Sequence, residues 1–212
     1  MKIAKPQLPA QLDNSTVALM AQDGELEEVL LYDEDGTNCN VAGLSLSSVM
    51  AEKVFLTGAH LSRVTVRDFV AKQTDFSSAS LDNGLIVRAE FLNCRMTGVD
   101  FSQTNLHDVV FRGCKLDLAN FRQTDLRRVQ FVDCTLVETD FGGAKLTNVE
   151  FQSSVLDKTS FTGAICKTVD LRTSELLDIV GWRWLKGATI DGLQLVSSAP
   201  YLAQELGLIV RD

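Results

Sequence analysis

The sequence predicts an all-β solenoid, a chain wound into stacked square coils around one filled core. Three observations predict it. A large apolar residue returns at every fifth position from Leu26 to Leu176. A small or β-branched residue sits two places before most of them. The identities at both positions repeat again every twenty residues.

Every fifth residue from Leu26 to Leu176 gives 31 positions, and Leu, Ile, Val, Met or Phe fills 27 of them. These five types are 71 of 212 residues, so chance would fill roughly ten. The exceptions are Gly36, Ala51, Ala71 and Cys166. A period of five suits neither a helix, which wants 3.6, nor a long strand, which wants 2. It suits a chain that turns a corner every five residues. The large central residue and the small residue two places earlier point inward, and the residue between them points out. The other two make the corner, and four sides close a square of twenty.

The twenty-residue period sorts the core into ladders. Phe101, Phe121, Phe141 and Phe161 fall on one wall, and Phe91, Phe111, Phe131 and Phe151 on the opposite one. Leu106, Leu126 and Leu146 form a third ladder; Met96, Leu116, Leu136 and Leu156 form the fourth. The small positions obey the same rule, as in Cys94, Cys114, Cys134 and Ser154, or Val109, Val129, Val149 and Val169. Like residues stacked in columns are what a solenoid core requires.

Units such as Ala119-Asn120-Phe121-Arg122-Gln123 and Thr124-Asp125-Leu126-Arg127-Arg128 resemble the A(D/N)LXX unit of pentapeptide-repeat proteins. That resemblance implies a right-handed quadrilateral parallel β-helix of nearly eight coils. At ~4.8 Å per coil the rod is about 37 Å long.

Three segments follow. Residues 1–23 depart from the repeat; Pro6 and Pro9 suggest an extended lead-in, and Leu12, Val17, Leu19 and Met20 are available to cover the first coil. Residues 24–180 hold the β-helix, opening with a strand from Gly24 to Leu31. Asp33 to Gly36 reads as a loop or bulge that interrupts the register. At Ala71 the central residue is small, and Phe69 two places earlier restores the volume. Residues 181–212 form a C-terminal cap. Ala188-Thr189-Ile190 looks like a last unit out of phase. Asp191 with Gln194 resembles a capping box that starts a helix. Pro200 suits the first turn of a second short helix, Gly207 its stop, and Leu208 to Val210 a terminal strand or tail. The segment also resembles the C-terminal coda through which many bacterial family members dimerise. Leu193, Val196, Leu202, Leu206 and Leu208 are the candidate cap and dimer residues, because one short terminus cannot hide so many apolar side chains.

The chain shows no catalytic, cofactor-binding or metal-binding motif. His60 and His107 lie at outward positions. The five cysteines are odd in number and lack C-x-x-C spacing, which fits a reducing, cytoplasmic compartment. Cys94, Cys114 and Cys134 read as buried, reduced packing. Outward Asp75, Asp100, Asn105, Asn120, Asp125, Asp140 and Asp170 read as side chains that bond the nearby backbone and stabilise corners. No apolar run approaches ~20 residues, so no membrane-spanning helix is expected.

The net charge is −8, which disfavours direct binding to nucleic acid or an anionic membrane. Seven acids without a base, Asp23, Glu25, Glu27, Glu28, Asp33, Glu34 and Asp35, gather near the N-terminus as a candidate interaction patch. Residues 91–180 are nearly balanced, with 12 acids and 10 bases. The expected function is therefore a non-enzymatic scaffold that binds a protein partner. The resemblance implies an alternative, since Qnr-type and mycobacterial members protect DNA gyrase and topoisomerase IV as negatively charged mimics of duplex DNA.

Overall fold

The computed structural model describes residues 2–211; Met1 and Asp212 lie outside them. Nearly eight square coils stack into one rod. Strands β1 (Asp13–Ser15), β2 (Glu25–Glu27), β3 (Val29–Tyr32), β4 (Ser45–Glu52), β5 (Thr65–Lys72), β6 (Leu85–Leu92), β7 (Asn105–Arg112), β8 (Asp125–Val132), β9 (Lys145–Gln152) and β11 (Ile165–Asp170) share one parallel sheet. β10 (Val155–Asp157) and β12 (Glu175–Leu177) pair separately. The register is the twenty-residue step: Leu106 faces Leu126, and Phe111 faces Phe131.

The eight-residue strands each cover two walls. The first wall carries the Leu106 column and the second the Phe111 column. The third wall (Leu116) and the fourth (Phe121) are held chiefly by single bridges, such as Arg95 to Lys115 and Asp100 to Asn120. On those two walls the corner is a β-turn: Ala119 N–H donates to Leu116 C=O, and Thr124 N–H to Phe121 C=O. All four corners share one feature. The second residue after each central position has positive φ, 31 times without a break from Glu28 to Asp178, and 25 of these are not glycine.

Inside, the two Phe columns stack face to face along the rod. Phe111 and Phe131 have centroids 5.0 Å apart at 5°. Across the rod they meet edge-on, as Phe121 and Phe131 do at 5.9 Å and 90°. Both geometries suit the ring quadrupole, negative on the face and positive at the edge. Phe69 lies in the core beside Phe91, completing the exchange with Ala71.

The small inward column on the third wall does more than fill space. Thr74, Cys94, Cys114, Cys134, Ser154 and Ser174 each donate from Oγ or Sγ to the carbonyl 23 residues earlier. Cys114 Sγ lies 3.3 Å from Phe91 O, and Ser174 Oγ lies 3.0 Å from Phe151 O. Cysteine therefore stands where Ser and Thr also stand because all three are small donors. None of the five cysteines is paired in a disulfide. The hydrogen bond with Cys114, together with burial, pushes the Cys134 thiol far above its ordinary range.

Several expectations need correction. Asp33 to Gly36 does not break the register: Asp33 is a left-handed corner like the rest, and Asp35 bridges to Phe55. Gly36 keeps its central place, and Val17 of helix α1 (Val17–Asp23) fills the missing volume. A Cβ added at Gly36 would stand 2.7 Å from Val17 Cγ1. The opening strand is two strands, because the corner at Glu28 divides it. At the other end Pro200 does not start a second helix. It lies inside α2 (Gly192–Glu205), which continues to Glu205. Leu208 to Val210 form no strand.

Gly36→Ala should destabilise the fold by about 1–3 kcal/mol through overpacking. Gly36→Ala with Val17→Ala should cost less than the sum of the single changes. A double-mutant cycle by urea unfolding that finds additivity would show that Val17 does not occupy the Gly36 space.

Candidate interaction surfaces

Three regions of the rod are open to a partner or are covered by the chain itself. They are the acidic N-terminal end, the C-terminal cap and the walls. Among the seven acids, Glu34 accepts the Val17 N–H at 3.1 Å and so anchors the start of α1. Asp35 accepts the Thr37 N–H at 2.9 Å. These two serve the fold. Asp23, Glu25, Glu27, Glu28 and Asp33 are exposed and make no ion pair among the described residues.

On the walls several acids are neutralised locally. Asp68 and Arg88 form a two-bond pair at 2.7 and 2.6 Å, and Asp108 and Arg128 repeat it with the same distances. Asp125 pairs with Arg127, Asp140 with Arg122, and Asp170 with Arg172. Asp75, Asp100, Asn120, Asp140 and Asp170 each also accept the backbone N–H two residues on, the corner role expected of them. Asn105 and Asp125 lie in strands and lack that bond among the described residues. The outward bases Arg127 and Arg128 are thus committed to Asp125 and Asp108. Among the described residues no group of three or more His, Cys, Asp or Glu could hold a metal ion. No helix is long and apolar enough to cross a membrane.

The N-terminal segment was the least legible part. Residues 2–12 do not simply lead into the first coil; they lie lengthwise against the corner between the first and second walls. Ala4 N–H donates to Asp108 Oδ1 at 3.2 Å, and Gln7 N–H to Asp68 Oδ1 at 2.9 Å. Ser48 Oγ reaches Gln7 O. The signal existed in the sequence: Met50, Val70 and Val110 are apolar at outward positions of the second wall. Val70 and Val110 are nonetheless buried, 8% and 9% exposed.

At the far end Gln194 takes over from the coils. Its side-chain amide donates to Leu171 O at 2.7 Å and Ser174 O at 2.6 Å. Leu171 is 23 residues earlier, the same offset as the Ser174 to Phe151 bond, so Gln194 stands where a ninth coil would place its donor. The capping box is formed: Gln194 N–H donates to Asp191 Oδ1, and Asp191 N–H to Gln194 Oε1. α2 therefore presents a stripe led by Gln194 and Ser198 to the rod, with Tyr201 and Leu202 packed against the core. Of the five candidate residues, Leu202 packs inward. Leu193, Val196, Leu206 and Leu208 face out, joined by Leu195, Ile209 and Val210; Leu193 is 85% exposed and Ile209 80%.

A parallel β-solenoid built from a five-residue unit is the class these features define. The family profile described as "Pentapeptide repeat region" matches residues 85–161 and 104–179. A comparison with curated proteins returns no match. Among solved structures the chain is similar to full-length QnrB1, a plasmid-mediated fluoroquinolone resistance protein. The identity is 20% and the TM-score 0.63, over 92% of this chain and 95% of that one. It is also similar to Rfr23, a pentapeptide repeat protein from the cyanobacterium Cyanothece 51142, at 14% identity and TM-score 0.54, over 57% and 97%. Residues 85–179 thus carry the pentapeptide repeat, and the chain as a whole folds as a right-handed quadrilateral parallel β-helix similar to that of QnrB1.

Gln194→Leu should lower stability by roughly 2 kcal/mol, since it removes the buried side-chain donor shared by Leu171 O and Ser174 O. An unchanged unfolding midpoint would remove Gln194 from the capping role. The pH profile should fall in two steps. Burial, then Arg127, lowers the His107 pKa, so the stability it contributes is present above its ordinary value of 6.5 and lost as pH falls below it. Arg88 and Arg128 hold Asp68 and Asp108 below their ordinary 3.8; their contribution is lost only as pH falls through those lowered values. Thermal melts of His107→Gln should lack the first step and keep the second.

Proposed function

We propose that this chain is a non-enzymatic binding scaffold, dimeric through its C-terminal cap, that engages another protein. The outward apolar face of α2 and the tail carries the reading. A helix at the end of a rod that turns Leu193, Val196 and Leu206 to solvent lacks a covering surface. Two-fold symmetry is the commonest solution for a soluble homo-oligomer and would join two rods tail to tail. A bacterial, cytoplasmic setting fits the resemblance and the free thiols.

A second reading is a DNA-mimicking binder of gyrase or topoisomerase IV. It is favoured by the likeness to QnrB1 along 92% of the chain. It ranks second because a mimic must display negative charge along its walls, and here Asp68, Asp108, Asp125, Asp140 and Asp170 are each matched by an Arg.

Light scattering should give about twice 23.3 kDa for the wild type and 23.3 kDa for Leu193→Glu with Val196→Glu. A wild-type monomer at tens of micromolar would defeat the dimer. A pull-down from native lysate, with a gyrase supercoiling assay alongside, separates the two readings; relief of fluoroquinolone inhibition by the wild type would put mimicry first.

A further inference from the structure

We propose that the second wall is a binding site for an extended, proline-containing peptide, and that the chain's own N-terminal arm is its resident occupant. This rests on the scaffold reading and names the chemistry of one partner segment.

The arm contacts the wall with a period of three. Ile3, Pro6, Pro9 and Leu12 are half-buried, as is Leu8, while Ala4, Lys5, Gln7, Ala10 and Gln11 are exposed. The two bonded amides, Ala4 and Gln7, are also three apart. Three residues per turn is the polyproline II repeat, in which every third residue faces the same way and three residues advance ~9.3 Å. The wall offers a matching step. Asp68 and Asp108 are two coils apart, ~9.6 Å at the strand spacing. Each carboxylate is fixed by two bonds from an Arg, Arg88 or Arg128, which leaves Oδ1 placed to accept a backbone N–H from outside. Asp68-Arg88 and Asp108-Arg128 are thus one clip used twice, at the spacing of an extended peptide.

Beside the clips the second wall carries apolar residues at outward positions. Leu30, Met50, Val70 and Val110 stand on one outward column, with Glu90 between the last two. The arm is bonded at the corner beside this column, and Val70 and Val110 are buried, 8% and 9% exposed. No ladder bonds join residues 2–12 to the rod; the first strand pairing begins at Asp13. Another peptide of the same pattern could take the arm's place without breaking the sheet. The partner segment the wall fits is therefore extended, apolar at every third residue, proline-containing, and free to donate amides at i and i+3. This is recognition of a preformed, low-entropy conformation. Tethered to the rod, the arm competes at a high effective concentration and holds the site closed to weaker ligands.

The test uses the full-length chain and a fluorescent peptide of residues Lys2–Leu12. Ile3→Asp with Pro6→Glu releases the arm without touching the rod. Asp68→Gly with Asp108→Gly, added to that variant, removes both clips and keeps a residue that tolerates positive φ. Cooperative thermal melts with native far-UV circular dichroism establish that each variant folds. The arm-released chain should bind the peptide saturably. The wild type should bind it at least tenfold more weakly, and the clip-less variant should lose binding by tenfold or more. In the wild type, exchange of the Ala4 and Gln7 amides should be slowed, and Asp68→Gly with Asp108→Gly alone should restore it to the rate of a free chain. No binding to the arm-released chain, or equal binding to all three, overturns the proposal. So does mass evidence that the arm docks on a second copy. A lysate partner that binds the arm-released and clip-less chains equally leaves the scaffold reading standing while refuting this site.

Discussion

Each corner of the rod holds one residue in the left-handed region, at a cost of order 1 kcal/mol wherever that residue carries a side chain. Between Glu28 and Asp178 this happens 31 times, and only six corners are glycine. Such a sum is tolerable only because every corner returns two side chains to a shared interior and stacks its strand on the coil before. The five-residue unit, the square section and the columns all follow from the repeated corner. Where the corner residue is Asn or Asp, as at Asn83, Asn93 or Asp133, the short polar side chain eases the conformation. Leu118 and Thr168 show that the neighbouring coils enforce it without that help.

A turning chain also strands carbonyls, because a corner cannot keep every backbone group in a ladder. The inward small residues answer this on each coil. Their donors reach back 23 residues to the coil before, and the column passes from Thr74 through three cysteines to Ser154 and Ser174. Seen so, the rod's end is the place where the next donor would be missing. Gln194 supplies it from a helix, which is why α2 lies with a polar stripe inward and its apolar side outward. The first coil meets the converse problem, a missing central side chain at Gly36, and solves it with Val17 from α1. Both caps imitate the repeat they terminate.

The repeated part of this architecture was legible because period five has no competing explanation and each position recurs many times. Phe111 or Leu126 could be placed from pattern alone. Gly36 misled for the same reason: a single small residue in a register reads as a break, and only a contact from outside the repeat, Val17, shows it to be filled. Pro200 misled because proline reads as a helix start, whereas α2 is held by its packing and its capping box and accommodates it. The arm escaped notice because its partners, Asp68 and Asp108, are distant in sequence and look like ordinary corner residues. Its trace was the apolar residues at outward positions, a violation of the pattern that had no local cause.

Those violations also set apart the surfaces that the repeat does not account for. The repeat spends the backbone groups of the walls in ladders and corners, and five of their carboxylates meet arginines on the same or the neighbouring coil. A macromolecule approaching such a surface finds no open sheet edge along the rod. What remains is whatever departs from the repeat. Five acids without an ion pair among the described residues crowd the first coil, an apolar helix face ends the last, and outward apolar residues line the second wall beside the arm. The two ends are separated by the length of the rod, so a dimer joined at α2 would hold its acidic ends far apart. The apolar column runs between them, on the one wall where the chain already shows how an extended segment is held. The features that depart from the repeat are thus set at fixed distances by the same corners that shape the rod.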